Sequence, residues 1–592
     1  MTTSRSSSGP GASLFRLAGA ALLVLLVGYP LLSLLLQAVM PKLFGLHMSM
    51  VPSLAPVVGV FTDRNNLAAV VNSVLLGLEG TAAAVIVGTF TAFAVESMTG
   101  FRRTLLDGMV WLVFFKPSYI IAQGWVMFMQ GGGILAQLLH LPMGWSSWFF
   151  GPIGVVVIYG FSFFPFVHFS MQLGIRNVNG DLVKAARLAG ASRYEVFHRI
   201  LLPLLTPSLL AGASIAFAEV FGDFGVPLAV STQTHLSLLP FQIYTRLNES
   251  PVNFSAAAWL ALLVLVVSAG AIFLQFFWMR NRDYSTVSSR SAPVPVEKKR
   301  SRLVGALAVM VFFFALVVPL GSILTASLWK VWANGLGAGN WTLLHYGQAL
   351  TTGGRSLQAL GLSLTYALIT AVVTMILGVV LAYEMSFQKS AVTSFLNILT
   401  MSTIAVPGIV LAVSYIFAWN AVWLIPLNLV LYGTPFALGL AYLATYLPYA
   451  IRLQLGSMAQ LPPSLVKAAR VAGAGNAAVV RKIVLPLVAG TAIATFFMTF
   501  SKVIFELPAA TLLYPPGDPT FSVIIQHTFN EFDWSKGSAL SILALILVFG
   551  TYALGRHFVK SWNQDSGDRL EVSAEAPPAQ EPGLVGRRRV TT

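Results

Sequence analysis

Long apolar stretches separated by short polar ones dominate the chain. Stretches long enough to cross roughly 30 Å of hydrocarbon fall near residues 15–39, 67–95, 105–130, 151–173, 204–230 and 255–279. A second set falls near 303–328, 359–384, 393–420, 433–455, 485–513 and 535–559. The first, Phe15 to Val39, is longer than the roughly 7 to 15 apolar residues of a signal-peptide core and has no clear cleavage site. It is therefore expected to remain as a helix. The pattern predicts an all-α polytopic membrane protein of about twelve transmembrane helices.

Composition agrees. Of the 592 residues, 56% are hydrophobic and 10% charged, against about 25% charged in soluble chains. With no cysteine, disulfides, thiolate metal sites and cysteine nucleophiles are excluded. The net charge of +15 raises the question of nucleic acid, and the distribution of the charges answers it. With the amino terminus inside, the outer segments hold only Lys42, Arg64, Arg246, Lys330, Arg355 and Lys536, and Lys116 and Lys502 fall within spans. All other basic residues are inside, as basic loops resist translocation. The excess is topological, no nucleic-acid partner is implied, and both termini are expected in the cytoplasm.

The chain is duplicated. Residues 182–191, Leu-Val-Lys-Ala-Ala-Arg-Leu-Ala-Gly-Ala, recur at 465–474 as Leu-Val-Lys-Ala-Ala-Arg-Val-Ala-Gly-Ala, an offset of 283. Ile200-Leu201-Leu202-Pro203-Leu204 recurs as Ile483-Val484-Leu485-Pro486-Leu487, and Ser73, Gly88, Ala92 and Glu96 match Ser363, Gly378, Ala382 and Glu384 less tightly. Six spans per half is an even number, so the copies are parallel repeats about an axis along the membrane normal. The expected organisation is a tail 1–14, a first half 15–279, a Ser-, Pro- and Lys-rich linker 280–302, a second half 303–559 and a tail 560–592, with disorder in the tails.

Each repeated segment has helix-turn-helix chemistry. Asp181 and Ser464 are placed as N-caps, and Gly190 and Gly473 as C-cap glycines. A second short helix is expected to close at Leu202-Pro203 and Leu485-Pro486. Small residues keep the first helix thin enough to lie in a partner's groove, although a plain interfacial anchor would look similar.

Ala-Ala-x-x-x-Gly-Ala followed by Ile-x-Leu-Pro resembles the EAA loop of the permease subunits of binding-protein-dependent ABC importers. Phe221-Gly222-Asp223-Phe224-Gly225-Val226-Pro227, Glu506-Leu507-Pro508 and Leu513-Tyr514-Pro515-Pro516-Gly517 are similar to the fused ferric-iron-type permeases. The resemblance implies a type I importer permease fold in the bacterial inner membrane. It also implies a separate cytosolic ATPase in two copies, an extracytoplasmic binding protein and a small solute as cargo, ferric iron before thiamine, phosphonate, polyamine or a sulfate-like anion. ATPase coupling would fall on Lys184, Ala185, Ala186, Gly190, Ala191 and Pro203, and on Lys467, Ala468, Ala469, Gly473, Ala474 and Pro486. Lys184 and Lys467 stand where the family has Glu, so that residue's salt bridge does not carry over.

The chain has no phosphate-binding loop of its own: Gly353-Gly354-Arg355-Ser356 lacks the correctly spaced first Gly and the Lys. Neither a catalytic constellation nor a cofactor site is expected, and the eight scattered histidines suggest no metal cage. Charges within spans normally face a bundle interior or water. Glu219 with Asp223, and Lys502 with Glu506, are equivalent at the same offset and spaced i, i+4 on one helix face. They either line a central passage or pair locally, Lys502 with Glu506 and Lys116 with Glu79. The aromatic cluster Tyr159, Phe161, Phe163, Phe164 and Phe166 is read as lipid-facing or core packing, not as a ligand site. Intramembrane carboxylates also suit a secondary transporter, but that class does not explain two docking loops.

Overall fold

The computed structural model describes residues 10–44, 48–234, 236–280, 302–351, 354–388 and 390–574. The expected linker and most of both tails lie outside the described residues. Within them the chain is helical, with one isolated bridge between Trp329 and Trp341. Among the described residues ten helices are long and apolar enough to span a membrane, or up to twelve with each of two bent pairs taken as one span. The spans are α1 (Arg16–Val39), α2 (Arg64–Ser97), α3 (Gly100–Phe115 plus Ser118–Leu139), α4 (Pro152–Asn177), α5 (Val196–Phe221) and α6 (Phe254–Met279). The second half repeats them as α7 (Arg302–Ser327), α8 (Arg355–Phe387), α9 (Ala391–Ile404 plus Gly408–Trp419), α10 (Pro435–Met458), α11 (Ala477–Val503) and α12 (Trp534–Trp562).

Proline sets the local shape of these helices. A proline inside a helix lacks an N–H and collides with the carbonyl four residues back. In α1, α5, α7 and α11 a π turn absorbs this: Val24–Gly28, Val196–Leu201, Phe313–Val317 and Val480–Val484. Each ends two residues before a proline, Pro30, Pro203, Pro319 and Pro486. The widened turn relieves the clash and the helix continues. The second helix of each repeated loop therefore does not stop at Leu-Pro, as its sequence suggests, but runs on into α5 or α11.

Where proline follows a helix end, the chain turns sharply. At Lys116-Pro117 the two arms of α3 meet at 99°, and at Val406-Pro407 those of α9 meet at 112°. The second arms are largely buried, Tyr119 to Met127 in α3 and Ile409 to Trp419 in α9 throughout, so apolar side chains surround these stretches of helix. Two other apolar runs also break. The runs near 204–230 and 485–513 stop as spans at Phe221 and Val503, and short helices Gly225–Thr234 and Pro508–Leu513 follow. Further helices, Leu239–Asn248 and Phe521–Asn530, precede α6 and α12. At the far end the last helix runs on to Ala574, past the expected limit near 559.

The halves exchange their first helices. α1 packs on the second arm of α9 and on α6, while α7 packs on the second arm of α3 and on α12. Tyr29 donates to the Ala418 carbonyl at 2.7 Å, and Tyr415 to the Leu26 carbonyl at 2.8 Å. Gly124 sits where an added Cβ would come within 2.3 Å of the Pro319 carbonyl oxygen. Of the two readings of the aromatic cluster, the structure favours core packing: Tyr159, Phe163 and Phe164 are buried in the core that the first half shares with α7, and Phe161 and Phe166 pack partly buried against it.

Candidate functional site: coupling loops and the layer of broken helices

The two repeated loops form short helices, Gly180–Leu188 and Pro463–Val471. Their starts differ from the expected ones. Asn179, not Asp181, is the N-cap and accepts the Asp181 N–H, while the second helix begins at Pro463 with no side-chain cap. Proline is preorganised for the first helical position, so it starts that helix one residue before Ser464. Both ends match expectation. Gly190 and Gly473 have φ of +85° and +84°, and Ala191 and Ala474 donate to the carbonyls of Ala186 and Ala469 at 3.0 Å each. This is a Schellman closure, and its left-handed residue favours glycine.

The first helix buries Val183 and its starting Gly180, the second Val466. Lys184, Ala185, Lys467 and Ala468 are exposed, and Ala186, Ala469, Ala191 and Ala474 partly so. Leu188 and Val471 are each 90% exposed. Pro203 and Pro486 lie beyond the π turns in α5 and α11, away from this face. Arginines secure the loops from behind. Arg176, just ahead of the first loop, donates to Glu96 at 2.8 Å, and Arg103 binds the same carboxylate at 2.9 Å. In the second loop Arg470 donates to the Tyr383 hydroxyl at 3.2 Å. The adjacent Glu384 lies 3.8 Å from Arg16 of the first helix.

The second group of candidates gathers where the broken helices meet. Glu219 ends α5 and Lys502 ends α11, both half-buried, and they are electrostatic neighbours. Lys502 Nζ donates to the Phe114 carbonyl at 2.9 Å and lies 4.3 Å from the centre of the Phe114 ring. Asp223 does not share a helix face with Glu219, because the helix has ended at Phe221. Its Oδ2 accepts the Val226 N–H at 2.7 Å and its Oδ1 the Ser118 hydroxyl at 2.6 Å. Glu506 is likewise beyond its helix and accepts N–H groups from Ala509 and Ala510 at 3.0–3.1 Å. Both carboxylates thus cap helices, where the N-terminal dipole favours negative charge.

Of the two readings left open by the sequence, local pairing of Lys502 with Glu506 and of Lys116 with Glu79 is not seen among the described residues. Lys502 is turned to Phe114. Lys116 Nζ donates to the carbonyls of Phe161 and Ala315 at 3.4 and 3.1 Å, and Glu79 is exposed.

All four breaks touch. Ser118 binds Asp223; a Cβ on Gly222 would come within 2.5 Å of Pro407; and Gly408 lies in contact distance of Glu506. Sequence reading missed Ser118, Pro117 and Pro407, although a proline inside an apolar run was their signal. It paired Ser73 with Ser363 without a role. The structure supplies one: their hydroxyls accept the N–H of Leu239 and Phe521, at 2.7 and 2.9 Å, pinning the helices behind the break layer. On the loop side of the layer is a cavity of about 760 Å³, walled by Trp111, Phe115, Met498 and Tyr552, with Asp107 and Arg556 among its polar lining.

Comparison with known proteins matches this chain twice to the family described as binding-protein-dependent transport system inner membrane component, at residues 84–281 and 374–564. A putative ferric transport system permease of Haemophilus influenzae is 28% identical over 440 residues, 72% of this chain and 68% of that protein. A ferric transport system permease of Actinobacillus pleuropneumoniae is 26% identical over 475 residues, 77% of this chain and 67% of its own length. The molybdenum transport system permease of Escherichia coli K12 is 28% identical over 202 residues, covering 33% of this chain and 87% of that protein. With ten to twelve spans, two matched segments and the same glycine-closed loop in each, the chain belongs to the family of inner-membrane components of binding-protein-dependent ABC importers, two permease units fused in one polypeptide.

Proposed function

We propose that this chain forms the whole membrane pathway of a ferric-iron importer, with both termini in the cytoplasm. One copy of a cytosolic ATPase would dock under each repeated loop, and an extracytoplasmic protein would deliver the cargo. The observation that carries the reading is the pair of Schellman-closed helices, alike in exposed face and placed equivalently in the two halves. Ferric iron is supported by relatives of that description that align over more than two thirds of this chain.

In this reading Glu219 and Lys502 face the passage. Asp223 and Glu506 hold the geometry of the break layer, and the cavity beneath it is the inner vestibule. Hydrolysis that moves the loops would reach the layer directly, since α5 and α11 run without interruption from loop to break.

The test is reconstitution of the chain with its ATPase and binding protein in vesicles. ATP-dependent uptake of ferric iron, absent with molybdate or sulfate, supports the reading. Uptake of an oxyanion instead overturns the cargo assignment and leaves the permease assignment intact.

A further inference from the structure

We propose that the ATPase groove receiving these loops carries carboxylates, and that charge holds the second loop more than the first. The proposal rests on the docking reading above. The two helices present nearly the same outward face: Leu182, Lys184, Ala185 and Leu188 on one, Leu465, Lys467, Ala468 and Val471 on the other, all exposed. Each face is a thin apolar strip with a lysine at its edge. Alanine at the centre buries little area in a lipid interface but lets a protein groove approach the backbone closely, the mode in which a helix lies in a groove. A cation flanking such a strip calls for an acid on the opposing wall.

The loops differ in what they supply for themselves. In the first, Lys184 Nζ is 3.2 Å from Asp181 Oδ1, and Arg199 is 3.6 Å from Glu195. Glu195 also accepts the N–H and hydroxyl of Ser192, each at 3.0 Å. In the second, Ser464 stands at the place of Asp181 and Ala478 at that of Glu195. Residues 459–484 contain Lys467, Arg470, Arg481 and Lys482 and neither Asp nor Glu. Arg470 is turned back to Tyr383, which leaves Lys467 as the cation beside the strip. An acid in the partner must compete with Asp181 for Lys184, whereas the second loop has no acid of its own for Lys467. The same groove therefore gains more from the second loop, and that gain is screened by salt.

The experiment uses the full chain in nanodiscs and the purified ATPase that restores ATP-driven uptake to vesicles containing it. Affinity is measured for wild type, Lys184→Glu and Lys467→Glu at low and high ionic strength. Lys467→Glu should weaken binding about tenfold at low salt and Lys184→Glu about threefold. Wild-type affinity should fall as salt rises, and that of Lys467→Glu much less. A carbodiimide, which joins an amine to a carboxylate in contact, should link Lys467 to an Asp or Glu of the ATPase. Salt-indifferent binding that tolerates Lys467→Glu would overturn the charge inference while docking stands. Binding unaffected by disrupting both loop glycines would instead overturn docking itself. An effect of Lys467→Glu confined to nanodiscs with anionic lipid would assign the lysine to the membrane surface and also overturn the proposal.

Discussion

Asp223 and Glu506 do the same structural work 283 residues apart: each lies just past the end of a spanning helix and accepts backbone N–H groups from the short helix that follows. The duplication thus preserves a capping geometry, not two charges on one helix face. The first prediction separates cap from charge. Asp223→Asn and Glu506→Gln retain an acceptor, whereas Ala at either site leaves the amides without one, at a cost of about 0.5–2 kcal/mol. The alanine variants should show lower thermal stability in detergent and slower uptake, with the amide variants close to wild type. Equal loss in both sets would assign the function to the negative charge.

Glu219 and Lys502 come from opposite halves and lie near enough at the break layer to interact electrostatically. Glu219→Gln or Lys502→Met should reduce uptake or uncouple it from ATP hydrolysis with ATPase binding intact. Exchanging the two charges should recover part of the loss, although Lys at 219 loses the Phe114 carbonyl. With no native cysteine, thiols introduced at these positions can be probed directly. Failure of both to react with a water-soluble reagent in any nucleotide state would move the passage elsewhere.

At Gly190 and Gly473 an added Cβ would meet nothing within 4 Å, so substitution acts through the backbone alone. Left-handed φ costs an ordinary residue about 1–2 kcal/mol and Asn less. Val at both positions should cost most of the ATPase recovery, and Asn at both should retain it. If each loop docks by itself, the single variants should fall between. Normal recovery of ATPase with the double valine variant would contradict docking through these loops.

Cutting the chain at Ser291 and expressing the two pieces together should still give a transporter that purifies as a pair. Tyr29 with Ala418 and Tyr415 with Leu26 tie the first piece into the second, and α7 lies on α3 in return. Pieces that insert well but separate on purification would show that the linker is more than a tether.

Much of this was legible because hydropathy and self-similarity survive averaging. The ten to twelve crossings, the repeat and the loop glycines all appear as runs or matched strings. The breaks did not, because a window that scores Leu204 to Val230 as apolar is blind to three residues, Gly222 to Phe224, whose backbone leaves the helix. Lys116-Pro117 and Val406-Pro407 were visible as prolines in apolar runs, but the sequence alone does not distinguish a bend from the widened turns before Pro30 or Pro319. The i, i+4 spacing of Glu219 and Asp223 misled for the same reason: it describes a helix face only where the helix persists. Exchange of the first helices is a tertiary choice between two similar apolar partners, and no local pattern encodes it.

That exchange bears on synthesis. The first half's core includes Ala308, Phe312, Ala315, Leu316 and Val318, all from α7, which the ribosome delivers only after the whole of that half and the linker. Until then the face of α3 that α7 covers has no partner in its own half, and Lys116 lacks the carbonyl of Ala315. The amino-terminal half is therefore not a unit that can finish folding in the membrane first and wait for its twin. It stays open through the translation of residues 280–327, and its completion coincides with the arrival of the helix that begins the other half.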